Sequence, residues 1–431
     1  MSFDSFRVGR RRAVAHALAF AIGVTALGAH AENALDFDQA LRLAQDRSRQ
    51  LAAQDAAARA AGEMAVAAGQ LPDPMLKLGI DNLPTDGPDR FSLTRDFMTQ
   101  RSIGIAQEFT RADKRQARAA RFDREADAAR AGGVLALADL QRDTAIAWLD
   151  RHYQERIRDA LVAQRDEARL QVDAAEAAYR GGKGAQADLF VARAAVVQIE
   201  DRIAQAERQV ATARIGLARW VGDAADRPLG ARPTVDTVNL AAVDLETRLA
   251  HHPQIAVLSA QEGIAGAEAA LARSNKKADW SAELMFAQRG PAFSNMVSFN
   301  VSIPLQWDQR NRQDRELAAK LAVVEQMHAQ REEAAREHVA EALAMLAEWR
   351  SNRARLTRYD GALIPLAAER TRAALAAYRG GTSPLAAVLD ARRNEIDTRL
   401  ERLRLEMETA RLWARLNYLI PADHDVAASR P

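Results

Sequence analysis

The chain of 431 residues contains no cysteine, which excludes disulfides and lipidation through an N-terminal cysteine. Aromatic residues make up only 5%, and proline and glycine gather in a few clusters. Alanine, arginine, glutamate, leucine and glutamine dominate instead, the composition of long helices and coiled coils rather than of two or three globular domains. Beyond residue 31 no apolar stretch reaches the roughly 18–20 residues that a transmembrane helix needs, so any membrane crossing has to be made by β-strands. Neither sign of charge prevails: the formal net charge is +2, and acids and bases alternate along the helical stretches. That leaves no electrostatic footprint for nucleic acid.

Catalytic signals are also missing. There is no phosphate-cradling loop, nucleophile elbow or triad, and Gly181-Gly182-Lys183-Gly184 lacks the strand that must precede a phosphate loop. His251 and His252 are adjacent, His328 and His338 are ten apart, and His-Glu-x-x-His does not occur. No enzyme, cofactor or metal site is expected. Met75, Met98, Met285 and Met296 fall near the strands described below, where they suit either a soft-metal path or, the preferred reading, ordinary apolar filler.

The N-terminus has the form of an export signal. Arg7, Arg10, Arg11 and Arg12 precede an apolar run from Ala13 to Ala29, and Ala29-His30-Ala31 is a small-x-small cleavage site. Cleavage after Ala31 is expected, and it lowers the formal charge to about −1 because four arginines and Asp4 leave with the signal.

Self-similarity is the most informative signal in the mature chain. Ala177-Ala178-Tyr179-Arg180-Gly181-Gly182 recurs as Ala376-Ala377-Tyr378-Arg379-Gly380-Gly381, and Arg42-Leu43-Ala44 recurs as Arg248-Leu249-Ala250. A period near 200 residues means two copies of one large module. The expected order is a signal peptide (1–31), a first repeat (32–222), a linker rich in Gly, Pro and Asp (223–239), a second repeat (240–420) and a tail (421–431). Each repeat opens with an Ala-rich helix, at 36–69 and 243–276. A β-hairpin follows, at about 74–109 and 278–307, and then a long helical hairpin, at about 110–220 and 310–420.

The hairpins are read from period-two alternation. Leu76, Leu78 and Ile80 alternate with Lys77, Gly79 and Asp81; Ile103, Ile105 and Phe109 alternate with Ser102, Gly104, Ala106 and Glu108. In the second repeat Trp280, Leu284 and Phe286 stand against Ser281 and Glu283, and Val297, Phe299, Val301, Ile303 and Leu305 against Ser298, Asn300, Ser302 and Gln306. Segments of this length with one apolar and one polar face suit tilted strands in a bilayer. Trp280, Trp307, Phe91 and Phe109 near their ends suit an aromatic girdle. Four strands cannot close a barrel, and an open edge in lipid leaves unpaired backbone groups. Protomers must therefore pool strands; two-fold pooling gives eight and three-fold gives twelve, a choice this patterning leaves open.

The long helices, about Thr110 to Arg180 and Arg310 to Arg379, would each span roughly 105 Å at about 1.5 Å per residue. Leu189, Val196, Ile203, Val210 and Leu217 recur at seven-residue spacing, and Ile396, Leu400, Leu403 and Met407 step by four, three and four: narrow coiled-coil seams. Gly132-Gly133 and Pro365 are expected to interrupt or kink the long helices.

This plan resembles the TolC family of outer-membrane efflux channels over essentially the whole mature chain. The resemblance is carried by Tyr-x-x-Gly followed by an acidic residue and leucine at each turn: Tyr179 and Gly182 with Asp188-Leu189, and Tyr378 and Gly381 with Leu389-Asp390. His252-Pro253-Gln254-Ile255 is similar to the family's Asn-Pro-x-aliphatic element. The resemblance implies a mainly α protomer that gives four β-strands to a trimeric twelve-stranded barrel and long helices to a periplasmic tunnel. It also implies a homotrimer in outer-membrane lipid that meets a periplasmic adaptor and an inner-membrane RND-type pump. Tyr179, Gly182, Asp188, Leu189, Tyr378, Gly381 and Leu389 would form the tips that dock the adaptor; Asp188, Tyr378 and Asp390 would line or gate the entrance. Ala387 and Ser383 stand where the family has an acidic and a basic residue, which predicts a less acidic and less tightly held entrance. Tyr179 and Tyr378 also read as tyrosines packed on the next helix, the glycines as helix caps, and Asp188 and Asp390 as first-turn carboxylates at helix N-termini.

Leu71-Pro72-Asp73-Pro74, Asp81-Asn82-Leu83-Pro84 and Gln107-Glu108-Phe109 are similar to the CzcC-like heavy-metal branch. Drug efflux and type I protein secretion remain alternatives within the family. A periplasmic adaptor or a coiled-coil scaffold remains the alternative outside it.

Overall fold

The computed structural model describes residues 34–182, 184–238 and 252–421. The expected signal peptide, Arg248-Leu249-Ala250, His251, Lys183 and the tail beyond 421 lie outside the described residues. The fold is mostly helical with one small antiparallel sheet. It divides into two units. One takes its described residues from Met1–Arg47, Thr144–Val235 and Arg355–Arg411; the other from Ser48–Asp143, Asp236–Ala354 and Leu412–Pro431.

The second unit carries the sheet. Its strands are β1 (Met75–Asp81), β2 (Gln100–Phe109), β3 (Trp280–Gln288) and β4 (Met296–Ser302), in the order β1-β2-β3-β4. Each hairpin pairs within itself, and β2 joins β3 through nine residue pairs from Arg101↔Gln288 to Phe109↔Trp280. β4 stops at Ser302 although the alternation runs on to Leu305. Pro304 is the reason, since it offers no N–H to a ladder and restricts the residue before it.

Two helical expectations need correction here. The helix expected over 36–69 is two: α1 (Phe37–Arg47) and α2 (Arg49–Ala68). Ser48 divides them as the N-cap of α2, its hydroxyl accepting from the Leu51 N–H at 3.2 Å. The long helix α3 (Ala112–Arg180) runs unbroken through Gly132-Gly133. The Gln54 side chain of α2 lies against it there, its Oε1 3.0 Å from where a Gly132 Cβ would stand. Pro365 does mark an interruption. Helix α6 (Gln313–Arg358) passes into a π-helical turn (Tyr359–Leu363) before α7 (Ile364–Arg379). A proline ring collides with the carbonyl four residues back, here Gly361, and a widened turn relieves it. α5 (Pro253–Ser274) precedes β3.

The first unit is a helical bundle built from parts of α3, α4 (Gln186–Val221), α7 and α8 (Leu385–Asn417). Of the seam in α4, Leu189, Ile203 and Leu217 are buried and Val196 and Val210 half-buried, whereas Ile396, Leu400, Leu403 and Met407 of α8 are all buried. Ile157, Leu161 and Ala168 of α3 meet Ile199, Ile203 and Ala206 of α4 and Ile396, Leu400 and Leu403 of α8. In the same unit Trp148 is fully buried, lies edge-on to Phe37 with ring centroids 5.6 Å apart, and donates to the Leu35 carbonyl at 3.1 Å. That carbonyl also accepts from the Gly230 N–H at 3.1 Å, so both of its lone pairs are used.

Candidate membrane face and helical tips

The sheet register sorts side chains into two faces. On one, Leu76, Ile105, Leu284 and Phe299 form a row across all four strands, and Leu78, Ile103, Phe286 and Val297 form the next. All eight are exposed, from 43% for Phe286 to 72% for Leu78, an apolar surface that water would not tolerate at this extent. The band is bounded. Arg101 and Gln288 follow Ile80 at one end, and Phe109 stacks on Trp280 at the other with centroids 4.2 Å apart. Gln107, a polar group on this face, directs its amide to the Pro72 and Glu108 carbonyls, both at 2.8 Å. Of the expected girdle residues, Phe91 does not sit at a strand end but within the connection between β1 and β2, at a φ of 55°.

The opposite face carries Lys77, Gly79 and Asp81; Ser102, Gly104, Ala106 and Glu108; Glu283 and Ala287; and Ser298, Asn300 and Ser302. Met75, Met285 and Met296 share it, while Met98 lies in the connection before β2. Lys77 Nζ reaches Glu283 Oε2 at 2.5 Å across β2, a contact that no local pattern announces. Gly104 and Ala106 leave it room, and Gly104 is held close to β3, where a Cβ would lie 2.9 Å from the Leu284 carbonyl oxygen. β1 and β4 are edges with no strand beyond them among the described residues.

The duplicated turns lie in the first unit. Gly381 has a φ of 74° and closes α7 as a Schellman motif: its N–H donates to the Tyr378 carbonyl at 2.9 Å and that of Thr382 to the Ala377 carbonyl at 3.0 Å. Gly182 has a φ of 68° and donates to the Tyr179 carbonyl at 3.0 Å in the equivalent place after α3. Tyr378 and Leu389 pack against a small core of Ala175, Ala192, Leu385 and Val388, while Tyr179 stays exposed. Leu189 is buried and Asp188 half-buried in the first turn of α4. Asp390 is exposed and falls past the first turn of α8, so the helix-terminus explanation suits Asp188 alone. Tyr378 and Asp188 are not hydrogen-bonded to each other among the described residues of this single chain. A groove of about 230 Å³ runs beside the tips between α3, α4 and α8, lined by Val191, Ala195, Ile199, Leu389, Asp390 and Ile396 among others.

Away from the sheet in the second unit, His252 caps α5, its Nδ1 accepting from the Gln254 N–H at 3.2 Å. Its ring stacks on His338 with centroids 4.7 Å apart. Burial, then the neighbouring His338 and Arg142, push its pKa down to about 4. Sequence spacing missed this pair because the residues are far apart in the chain. Among the described residues no cluster of three or more His, Asp or Glu is placed to hold a metal ion, and no helix is long and apolar enough to cross a membrane.

A hairpin-plus-helical-hairpin module present twice, with four strands in one sheet, is the fold of TolC-family outer-membrane channels. No family model matches the chain, and no curated protein matches it by sequence. Solved structures do match. The outer-membrane protein VceC of Vibrio cholerae superposes with a TM-score of 0.71 at 17% identity, over 89% of this chain and 95% of that one. The CmeC outer-membrane channel of Campylobacter jejuni gives 0.73 at 10% identity, over 91% and 88%. The MtrE outer-membrane channel of Neisseria gonorrhoeae in its open state gives 0.64 at 16% identity, over 89% and 88%.

Proposed function

We propose that this chain is the protomer of an outer-membrane efflux channel, exported by residues 1–31 and assembled as a homotrimer. The observation that carries the proposal is the sheet: a continuous exposed apolar band on one face, a polar opposite face and two edges with no further strand among the described residues. In hydrocarbon each unpaired N–H or C=O costs several kcal/mol, so the edge of β1 pairs with β4 of the next copy; the three-fold order, which closes the barrel at twelve strands, is taken from the resemblance to the TolC family. The apolar face then meets lipid and the polar face a water-filled lumen.

The helical repeats extend into the periplasm as a tunnel. Tyr179, Gly182, Asp188, Leu189, Tyr378, Gly381 and Leu389 form the surface on which a periplasmic adaptor docks, coupling the channel to an inner-membrane RND-type pump. Asp390 lines the tunnel entrance, and Tyr378 and Asp188 restrain it between neighbouring helices. The cargo is small solutes, with heavy-metal cations the narrower reading. Support for the whole comes from the shared fold and the duplicated capped turns. Fractionation tests it: the protein should require detergent for release from outer membranes and migrate as a heat-sensitive trimer. Recovery in the soluble periplasm, or a stable monomer in mild detergent, would sink the proposal.

A further inference from the structure

The polar face of the sheet carries few charges, and their arrangement is specific. By alternation Asp81 stands at the end of β1, Glu108 near the end of β2, and Lys77 and Glu283 in the middle rows. β4 adds only Ser298, Asn300 and Ser302 to that face besides Met296. Lys77 is therefore the single basic side chain among the strand residues of this face, and it is not free. Its ammonium lies 2.5 Å from Glu283 Oε2, two strands away, with Gly104 and Ala106 leaving the path open beneath it. A larger residue at either β2 position would stand in that path. The Glu283 side chain is 18% exposed and that of Lys77 47%, so the pair sits at the polar surface with one member sheltered.

We infer that the Lys77–Glu283 pair sets the ion preference of the strand-lined lumen by cancelling charge at its middle, leaving Asp81 and Glu108 as acidic rings toward its two ends. The inference rests on the proposal that this face lines a pore. Rings of charged side chains select ions by sign. A neutral middle between acidic ends conducts cations in preference to anions. Removing Lys77 uncovers Glu283 and strengthens that preference; removing Glu283 uncovers Lys77 and opposes it. The influence of each charge extends about one Debye length, roughly 30 Å at 0.01 M salt and 3 Å at 1 M.

The test uses the full-length protein in planar bilayers under a KCl gradient, with the reversal potential as readout. Lys77→Gln should move the potential toward that of potassium and Glu283→Gln toward that of chloride. The exchanged variant, Lys77→Glu with Glu283→Lys, should return to the unsubstituted value. All shifts should shrink as salt is raised. If channels form and the variants share one reversal potential at low salt, the pair does not govern selectivity and the inference is overturned. If the unsubstituted protein forms no channels at all, the proposed function fails and this inference with it.

Discussion

The two-faced sheet makes a sharp prediction at Phe299. This residue is the middle of the seven in β4, is 68% exposed, and stands beside Leu284 in the apolar row that crosses all four strands. Phe299→Arg places a guanidinium near the centre of the band between Arg101 and the Phe109–Trp280 stack. On the lipid face of a barrel an arginine near the midplane costs about 2–4 kcal/mol. At about 1.4 kcal/mol per decade, that weakens barrel assembly roughly 30- to 700-fold for each protomer. Were the same face turned to water, the substitution would stay within about 0.5 kcal/mol, as surface changes usually do. Ser298→Arg, one residue away on the polar face, is the matched control and should be tolerated. The assay is the trimer fraction in outer membranes, together with folding into lipid vesicles followed in urea. Equal trimer yields for the two variants would refute the assignment of faces. A larger loss for Ser298→Arg would show that the faces are inverted.

Other outcomes follow from single positions. Gly381→Ala should destabilise the helical unit by about 1–2 kcal/mol because its positive φ suits only glycine, whereas Gly380→Ala, at a φ of −79°, should not; thermal melts of the two variants decide. Trp148→Ala should cost about 3–5 kcal/mol in urea unfolding, and Trp148→Phe clearly less, since the Leu35 carbonyl keeps its bond from Gly230. His252 is held neutral in the folded chain. Its contribution is therefore complete above its ordinary pKa of 6.5 and is lost as pH falls from there through about 4, because the unfolded chain binds the proton first. His252→Asn keeps a capping acceptor and should flatten that part of the stability–pH curve; an unchanged curve would remove His252 as its source.

How much of this was legible beforehand can be argued element by element. The Leu76–Ile80 and Val297–Val301 alternations are properties of a few consecutive residues, and the strands formed where they stand. The seam from Ile396 to Met407 repeats at the helical period, and all four residues are buried. Gly182 and Gly381 announced caps through their place after long helical runs, and both adopt the positive φ that such caps need. Local reading failed where a distant partner decides. Gly132-Gly133 looked like a break, but α3 continues through them with Gln54 of α2 alongside.

The sequence alone determined the duplication, the two periodicities and the amphipathic character of each strand, because these arise from spacing along one stretch of backbone. Tertiary structure decided which strand neighbours which. Only the β2–β3 ladder, joining the two repeats, turns four separate alternations into one apolar band and carries Lys77 to Glu283. A shift of one residue in that ladder would turn the neighbouring hairpin's apolar set to the opposite face, and nothing within either hairpin prevents it. The contacts that do are long-range, which is why they appear in the folded chain and not in its pattern.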